Sequence, residues 1–238
     1  MNTILYSHGD SVVWGAELET KETERFSNII CQRMGWLDCN NASAGVSNDY
    51  IYRQTLRDIS HWRKTGNVWS EETGWVHSQN IRVIIGWTSP TRFEWWNGSE
   101  YQQERLWTGY DKWGTNDTNR TTEDQFVINQ TELIPSYIKT LNHIIGLRAF
   151  LEKNGIPYYF FNSFYKWERI TEPVKPIDKF GRPEYQLDIN SLYTELPTNF
   201  FGETMYKYIE RNGGGFLPRN HPTKESHQIW ADYLVNEI

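Results

Sequence analysis

Arg82–Trp87 (Arg-Val-Ile-Ile-Gly-Trp) is an almost unbroken apolar run. Successive residues of a strand point to opposite faces, so a strand apolar at every position must be covered on both sides. That condition is met by a central strand of a parallel sheet held between helices. The flanking sequence supplies the other parts. Ile4–Ser7 reads as a first short strand running into His8-Gly9-Asp10-Ser11, and Trp36–Asn40 and Ile156–Asn162 read as further strands. Between them the spacing of apolar residues predicts a helix over Glu17–Met34 (Phe26, Ile29, Ile30 on one face). A second runs from Asn48 or Asp49 as N-cap to about Lys64 (Ile51, Leu56, Ile59 inward), and a third from Pro135 to about Asn154, stopped by Gly155 (Ile138, Leu141, Ile144, Ile145, Phe150 inward). Phe201–Arg211 reads as a helix broken by Gly213-Gly214-Gly215, and Pro222 reads as the first residue of a last helix reaching about Asn236. Strands alternating with helices predict an α/β chain with helices on both faces of a parallel sheet.

The 238 residues suffice for one such domain spanning 1–238. The long stretch at about 90–134 lacks periodicity and is expected to be a lid or a packed insertion, and Ser163–Leu196 is expected to be mostly loop. A net charge of −6 argues against a nucleic-acid partner. No run approaches the ~20 apolar residues of a membrane span, and no basic segment followed by an apolar one opens the chain, so a cytoplasmic location is expected. Without a signal peptide, Cys31 and Cys39 are expected to be free buried thiols. No metal-ligand spacing occurs, and no metal or cofactor is expected. Of the twelve tryptophans, five (Trp87, Trp95, Trp96, Trp107, Trp113) fall in one short stretch, which suits either core filling or a surface on which sugar rings stack.

Ligands of such sheets bind beyond the carboxyl ends of the strands. Ser11, Gly45, Thr88 and Asn162 all sit at those ends or in the loops just after them. Ser11, at a tight strand-to-helix turn, can serve as a nucleophile, with its own N–H directed at a developing oxyanion. Gly45 lets a second backbone N–H approach a ligand closely. Ser47, Asn48 and Asp49 read most economically as helix capping. His221, between the glycine-rich loop and Pro222, is the candidate general base. His227 lies six residues on, off the same helical face, and is expected to be structural; His8 and His61 carry no partner signal. Arg92 and Glu94 suit either a surface ion pair or, for Arg92, contact with an anionic substrate group. Trp87, Trp95, Arg92 and Asn48 are the candidate substrate contacts.

The combination resembles the SGNH hydrolases, also called GDSL esterases/lipases. Gly9-Asp10-Ser11 with Gly15 is similar to their first block, Gly45 to the glycine of the second, Gly86-Trp87-Thr88-Ser89 to the third and His221-Pro222 to the last. More narrowly, Gly86–Pro90 with Arg92 and Glu94, and His221-Pro222…His227…Trp230-Ala231, resemble SGNH-like proteins of tailed phages and some bacteria; such an origin implies release on a virion or at lysis. The resemblance implies a flavodoxin-like three-layer α/β/α sandwich with four to five parallel strands. It also implies a Ser11–His221 ester hydrolase whose oxyanion hole is formed by Ser11, Gly45 and the third-block residue. Two positions depart from the family pattern. Thr88 replaces the third-block asparagine, and Pro218 replaces the aspartate three residues before the histidine. The Pro218 carbonyl, Asp188 or Glu203 then remain as partners for the imidazole.

Three functions are compatible with these residues: a serine esterase acting on small or carbohydrate-borne acyl esters such as O-acetyl groups, a non-catalytic glycan- or protein-binding module on a degenerate scaffold, and an acyltransferase using the same pair. The sequence carries no signal for oligomeric state.

Overall fold

The computed structural model describes residues 2–90, 92–96, 101–105, 133–164, 192, 194–197 and 203–238. Strands are β1 (Thr3–Gly9), β2 (Leu37–Asn40), β3 (Asn67–Ser70), β4 (Gly74–His77), β5 (Asn80–Trp87), β6 (Arg92–Trp96), β7 (Tyr101–Arg105) and β8 (Tyr158–Asn162). The principal helices are α1 (Ser11–Trp14), α2 (Lys21–Glu24), α3 (Phe26–Met34), α4 (Asn48–Thr65), α5 (Leu133–Lys153), α6 (Met205–Arg211) and α7 (Lys224–Leu234).

Four strands form a parallel sheet in the order β2-β1-β5-β8. The strands obey period-two burial. Ile4, Tyr6, Val83, Ile85, Trp87 and Phe160 face one core with Ile51 and Ile59 of α4 and Leu141, Ile144 and Leu147 of α5. Leu5, Ile84, Tyr159 and Phe161 face a second core with α3 and with Trp230, Ala231 and Leu234 of α7. The expected α/β/α sandwich is therefore present. β1 is followed by β2 on one side and by β5 on the other, so the chain reverses its direction of winding between β1 and β5. That switch point is where a ligand crevice opens, and Gly9 pairs with Gly86 there.

Helix α1 is pressed onto this point. A Cβ on Gly86 would lie 2.5 Å from Val13 Cγ2 and 2.8 Å from Phe161 Cζ, and one on Gly9 would lie 2.7 Å from the Gly86 carbonyl oxygen. Both glycines are needed for close approach, and that approach sets Ser11 directly on the sheet edge.

Several boundaries differ from the sequence expectation. The helix expected over Glu17–Met34 is broken: α1 is capped by Gly15 at φ 82, Glu17 is left-handed at φ 67, and Arg25 is extended before α3. Ser47 caps α4, its Oγ accepting from Tyr50 N–H at 3.2 Å, one residue earlier than expected. Pro222 does not open α7; it bridges Phe216, and Thr223 is the cap. The hairpin β3–β4 had no sequence signal, and within the stretch expected to be irregular β6 and β7 pair antiparallel. Cys31 and Cys39 are free and buried, and burial pushes both thiols up. Among the described residues no helix is long and apolar enough to cross a membrane.

If the glycine contact positions the nucleophile, Gly86→Ala destabilises the protein by ~1–3 kcal/mol through overpacking and lowers the reactivity of Ser11. Thermal denaturation and serine-directed labelling check the two effects separately.

Candidate active site

Asp10 caps the helix that carries Ser11. Its Oδ1 accepts from Val12 N–H at 3.1 Å, and its carboxyl is fully buried. Burial raises the Asp10 pKa, while the Arg92 guanidinium (Nη1 3.6 Å from Oδ2), the Thr88 and Ser163 hydroxyls and the Val12 N–H pull the other way. As first residue of α1, Ser11 has a backbone N–H outside the helix's own ladder.

The chain then doubles back. Ala16 N–H donates to the Ser11 carbonyl at 2.9 Å, and Gly15 takes the positive φ that this turn demands. Glu17 follows in the left-handed region, a conformation that costs a non-glycine residue ~1–2 kcal/mol.

His221 arrives from the opposite end of the chain on a tight loop. Leu217 N–H donates to the His221 carbonyl and Asn220 N–H to the Leu217 carbonyl, each at 2.7 Å, and Asn220 has φ 63. Among the described residues Glu17 and Asn220 are the non-glycine residues at positive φ, and both lie at the histidine. Backbone strain of this kind collects at functional sites.

The three side chains meet in line. Ser11 Oγ is 3.0 Å from His221 Nε2, and His221 Nδ1 is 2.6 Å from Glu17 Oε2. An ionised carboxylate only accepts, so the imidazole carries its proton on Nδ1 and offers Nε2 to the Ser11 hydroxyl. The His221 and Glu17 side chains are 16% and 23% exposed.

Glu17 was not identified from sequence. His221 Nδ1 meets Glu17 rather than the Pro218 carbonyl, and Glu203 pairs with Arg211 at 2.7 Å; Asp188 lies outside the described residues.

Gly45 is exposed at φ 80, with open space where a Cβ would be. Its loop is tied to β1: Asn41 N–H donates to the Ser7 carbonyl at 2.8 Å and Ser43 N–H to the Gly9 carbonyl at 3.2 Å.

Other expected site residues are placed elsewhere. Thr88 is fully buried, its side chain beside Asp10, and its peptide is clamped by the Asn48 amide (Thr88 N–H to Oδ1 2.9 Å, Nδ2 to the Thr88 carbonyl 3.0 Å). Both side chains are buried, and Asn48 fixes the loop after β5. Trp87 is buried in the core, edge-on to Phe160 at 5.6 Å. Arg92 is 12% exposed, turned inward to Asp10, and Glu94 instead takes a two-pronged ion pair from Arg53 at 3.0 Å. The expected Arg92–Glu94 surface pair is therefore replaced by two separate anchors. Trp95 and Trp96 lie on β6, their side chains outside the described residues, as are Trp107 and Trp113.

The remaining histidines near the site are structural. His8 is buried and its Nδ1 accepts from Gly9 N–H at 2.8 Å. His227 is buried against Phe26, stacked at 6.0 Å, and its Nδ1 accepts from Phe26 N–H at 3.3 Å, capping α3 where Arg25 offers no side-chain cap. Burial pushes both pKa values down to about 3. Among the described residues no cluster of histidine, cysteine and carboxylate side chains suits a metal ion.

A family model matches residues 16–238. The chain belongs to DUF6071, a family of unknown function. No curated protein matches its sequence. The fold of this DUF6071 protein is similar to that of a Desulfitobacterium hafniense DCB-2 protein assigned to the G-D-S-L lipolytic family. The TM-score is 0.51 at 15% identity, with all of both chains covered. Weaker likenesses are to TesA (TM-score 0.47, 10% identity, 98% and 97% of the two chains) and to the acetyl xylan esterase Est2A of the rumen bacterium Butyrivibrio proteoclasticus (0.44, 15%, 99% of this chain and 63% of that one). The first of these likenesses shows that the DUF6071 chain shares the fold of that G-D-S-L-family protein.

His227 gives the DUF6071 protein a pH dependence of known sign. The folded state holds the ring neutral down to about pH 3, whereas the unfolded chain protonates it near 6.5. The unfolded state binds the extra proton between those values, so stability falls as pH drops below about 6.5, by up to ~1.4 kcal/mol per pH unit from this one group. Urea denaturation at pH 7 and pH 5 should show a smaller loss in His227→Gln than in the wild type; equal losses would contradict the assignment.

Proposed function

We propose that this protein is a serine ester hydrolase that cleaves acyl groups from small or carbohydrate-borne esters. The observation that carries the reading is the 3.0 Å approach of His221 Nε2 to Ser11 Oγ across 210 residues of chain, at the switch point of the sheet.

In this scheme Ser11 Oγ attacks the ester carbonyl while Nε2 takes its proton. The oxyanion is met by the Ser11 and Gly45 backbone N–H groups, without a side-chain donor from Thr88. Collapse of the tetrahedral intermediate breaks the bond to the alcohol oxygen, which leaves with the proton from His221. Water then attacks the acyl-serine, giving its proton to Nε2 and its oxygen to the carboxylic acid, and Ser11 regains its proton.

A carbohydrate-borne substrate is supported by the β3–β4 hairpin. Trp69 and Trp75 face each other across it, ring centres 5.5 Å apart, and are 47% and 59% exposed. Exposed indole pairs offer flat apolar faces on which sugar rings can stack. The Trp69 carbonyl accepts from the Asn41 side chain at 2.7 Å, which ties the hairpin to the loop leading to Gly45.

A fluorophosphonate probe should label the wild type, and p-nitrophenyl acetate should be hydrolysed. Ser11→Ala and His221→Ala should each abolish both. A folded wild-type protein that neither labels nor turns over would contradict the reading and favour a binding module. Trp75→Ala should lower kcat/KM for an acetylated polysaccharide several-fold and leave p-nitrophenyl acetate hydrolysis unchanged; equal effects on both would remove the sugar platform.

A further inference from the structure

We infer that Glu17 is the positioning residue for His221, so that nucleophile and acid are carried by one short segment, Ser11–Glu17, and only the histidine is contributed from afar. The inference rests on Ser11 and His221 being the reacting pair. It explains how the site operates with Pro218 at the position three residues before the histidine, where a carboxylate is otherwise expected.

Three independent features support it. The first is the contact. Glu17 Oε2 lies 2.6 Å from Nδ1, on the side of the ring opposite the nitrogen that meets Ser11. The carboxylate thus fixes the tautomer and the tilt of the ring and lies where it steadies the positive charge arriving with the serine proton.

The second is the backbone. A glutamate gains nothing locally from φ 67, and the residue best suited to that conformation is glycine. A carboxylate is held there although the conformation disfavours it, as expected when the side chain and not the turn is what the position requires.

The third is rigidity. The Asp10 cap, the Ala16-to-Ser11 hydrogen bond at 2.9 Å and the left-handed Gly15 lock Ser11 and Glu17 into one turn. Leu217 and Asn220 lock the histidine loop from its own side. Two stiff loops therefore meet through one imidazole, hydrogen-bonded at both nitrogens.

The arrangement has a consequence for stability. Because the turn favours glycine, Glu17→Gly should melt at or above the wild-type temperature while losing activity, which separates a catalytic defect from a folding defect.

The test uses the full chain with p-nitrophenyl acetate and with proton NMR of the imidazole. Glu17→Gln and Glu17→Gly should lower kcat by ~10²–10⁴-fold with KM little changed, and Glu17→Asp should fall between them and the wild type. The wild type should show a low-field imidazole N–H resonance that disappears in His221→Ala and in Glu17→Gly, which has no acceptor at that place. Wild-type turnover in Glu17→Gln, or an unchanged resonance in Glu17→Gly, would overturn the role of Glu17 while leaving the Ser11–His221 pair standing. Turnover surviving in Ser11→Ala would instead overturn the hydrolase reading, and this inference with it.

Discussion

The close packing of α1 against Gly9 and Gly86 is the contact from which the rest of the site follows. Val13 occupies the space that either glycine's Cβ would fill, so the first turn of the helix sits directly on the ends of β1 and β5. Those two ends are the place where the sheet's winding reverses. A helix held farther out would carry Ser11 away from the crevice and break the short path by which the chain returns to Glu17. The fully buried Asp10 carboxyl works in the same direction. It caps the helix from below, with Arg92 at the root of β6 facing it, and so links the β6–β7 pair to the Ser11 turn.

The polar groups around the site divide into those that face the crevice and those that build its floor. Asn48, Thr88, Asp10, His8 and His227 are all buried, and the hydrogen bonds described for them hold backbone segments in place. Ser11, His221 and Glu17 meet above them. The distinction matters because polar side chains near a sheet edge look alike in sequence whether they serve the backbone or a ligand. Burying them costs free energy unless each is satisfied, and the Asn48 clamp on Thr88 is such a solution.

Much of the fold was legible. The continuous apolar strand at Arg82–Trp87, the alternation of strands with amphipathic helices and the glycines at strand ends are local signals, and they led to the α/β sandwich and to Ser11 and His221, whose side chains meet. What stayed hidden was non-local or against propensity. Glu17 lies at the acidic start of a good helical pattern, and nothing in that pattern reveals that Gly15 ends the helix and that residue 17 turns left-handed to meet a histidine 204 residues away. Trp87 and Arg92 stand beside the site in sequence, yet strand alternation and the pull of Asp10 turn both inward. The β3–β4 hairpin is short, and although Trp69 and Trp75 lie only six residues apart, their pairing depends on the turn between Ser70 and Gly74, which carries no strong turn dipeptide.

The proposed hydrolysis requires that Ser11 be a nucleophile held between a backbone oxyanion hole and a Glu17-oriented histidine. A crystal structure of the protein after reaction with an organophosphate such as diethyl p-nitrophenyl phosphate tests it most directly. The adduct should show phosphorus bonded to Ser11 Oγ, a phosphoryl oxygen within hydrogen-bond distance of the Ser11 and Gly45 backbone N–H groups, and His221 still hydrogen-bonded to Glu17. An unmodified Ser11, or an adduct on a different residue, would contradict it.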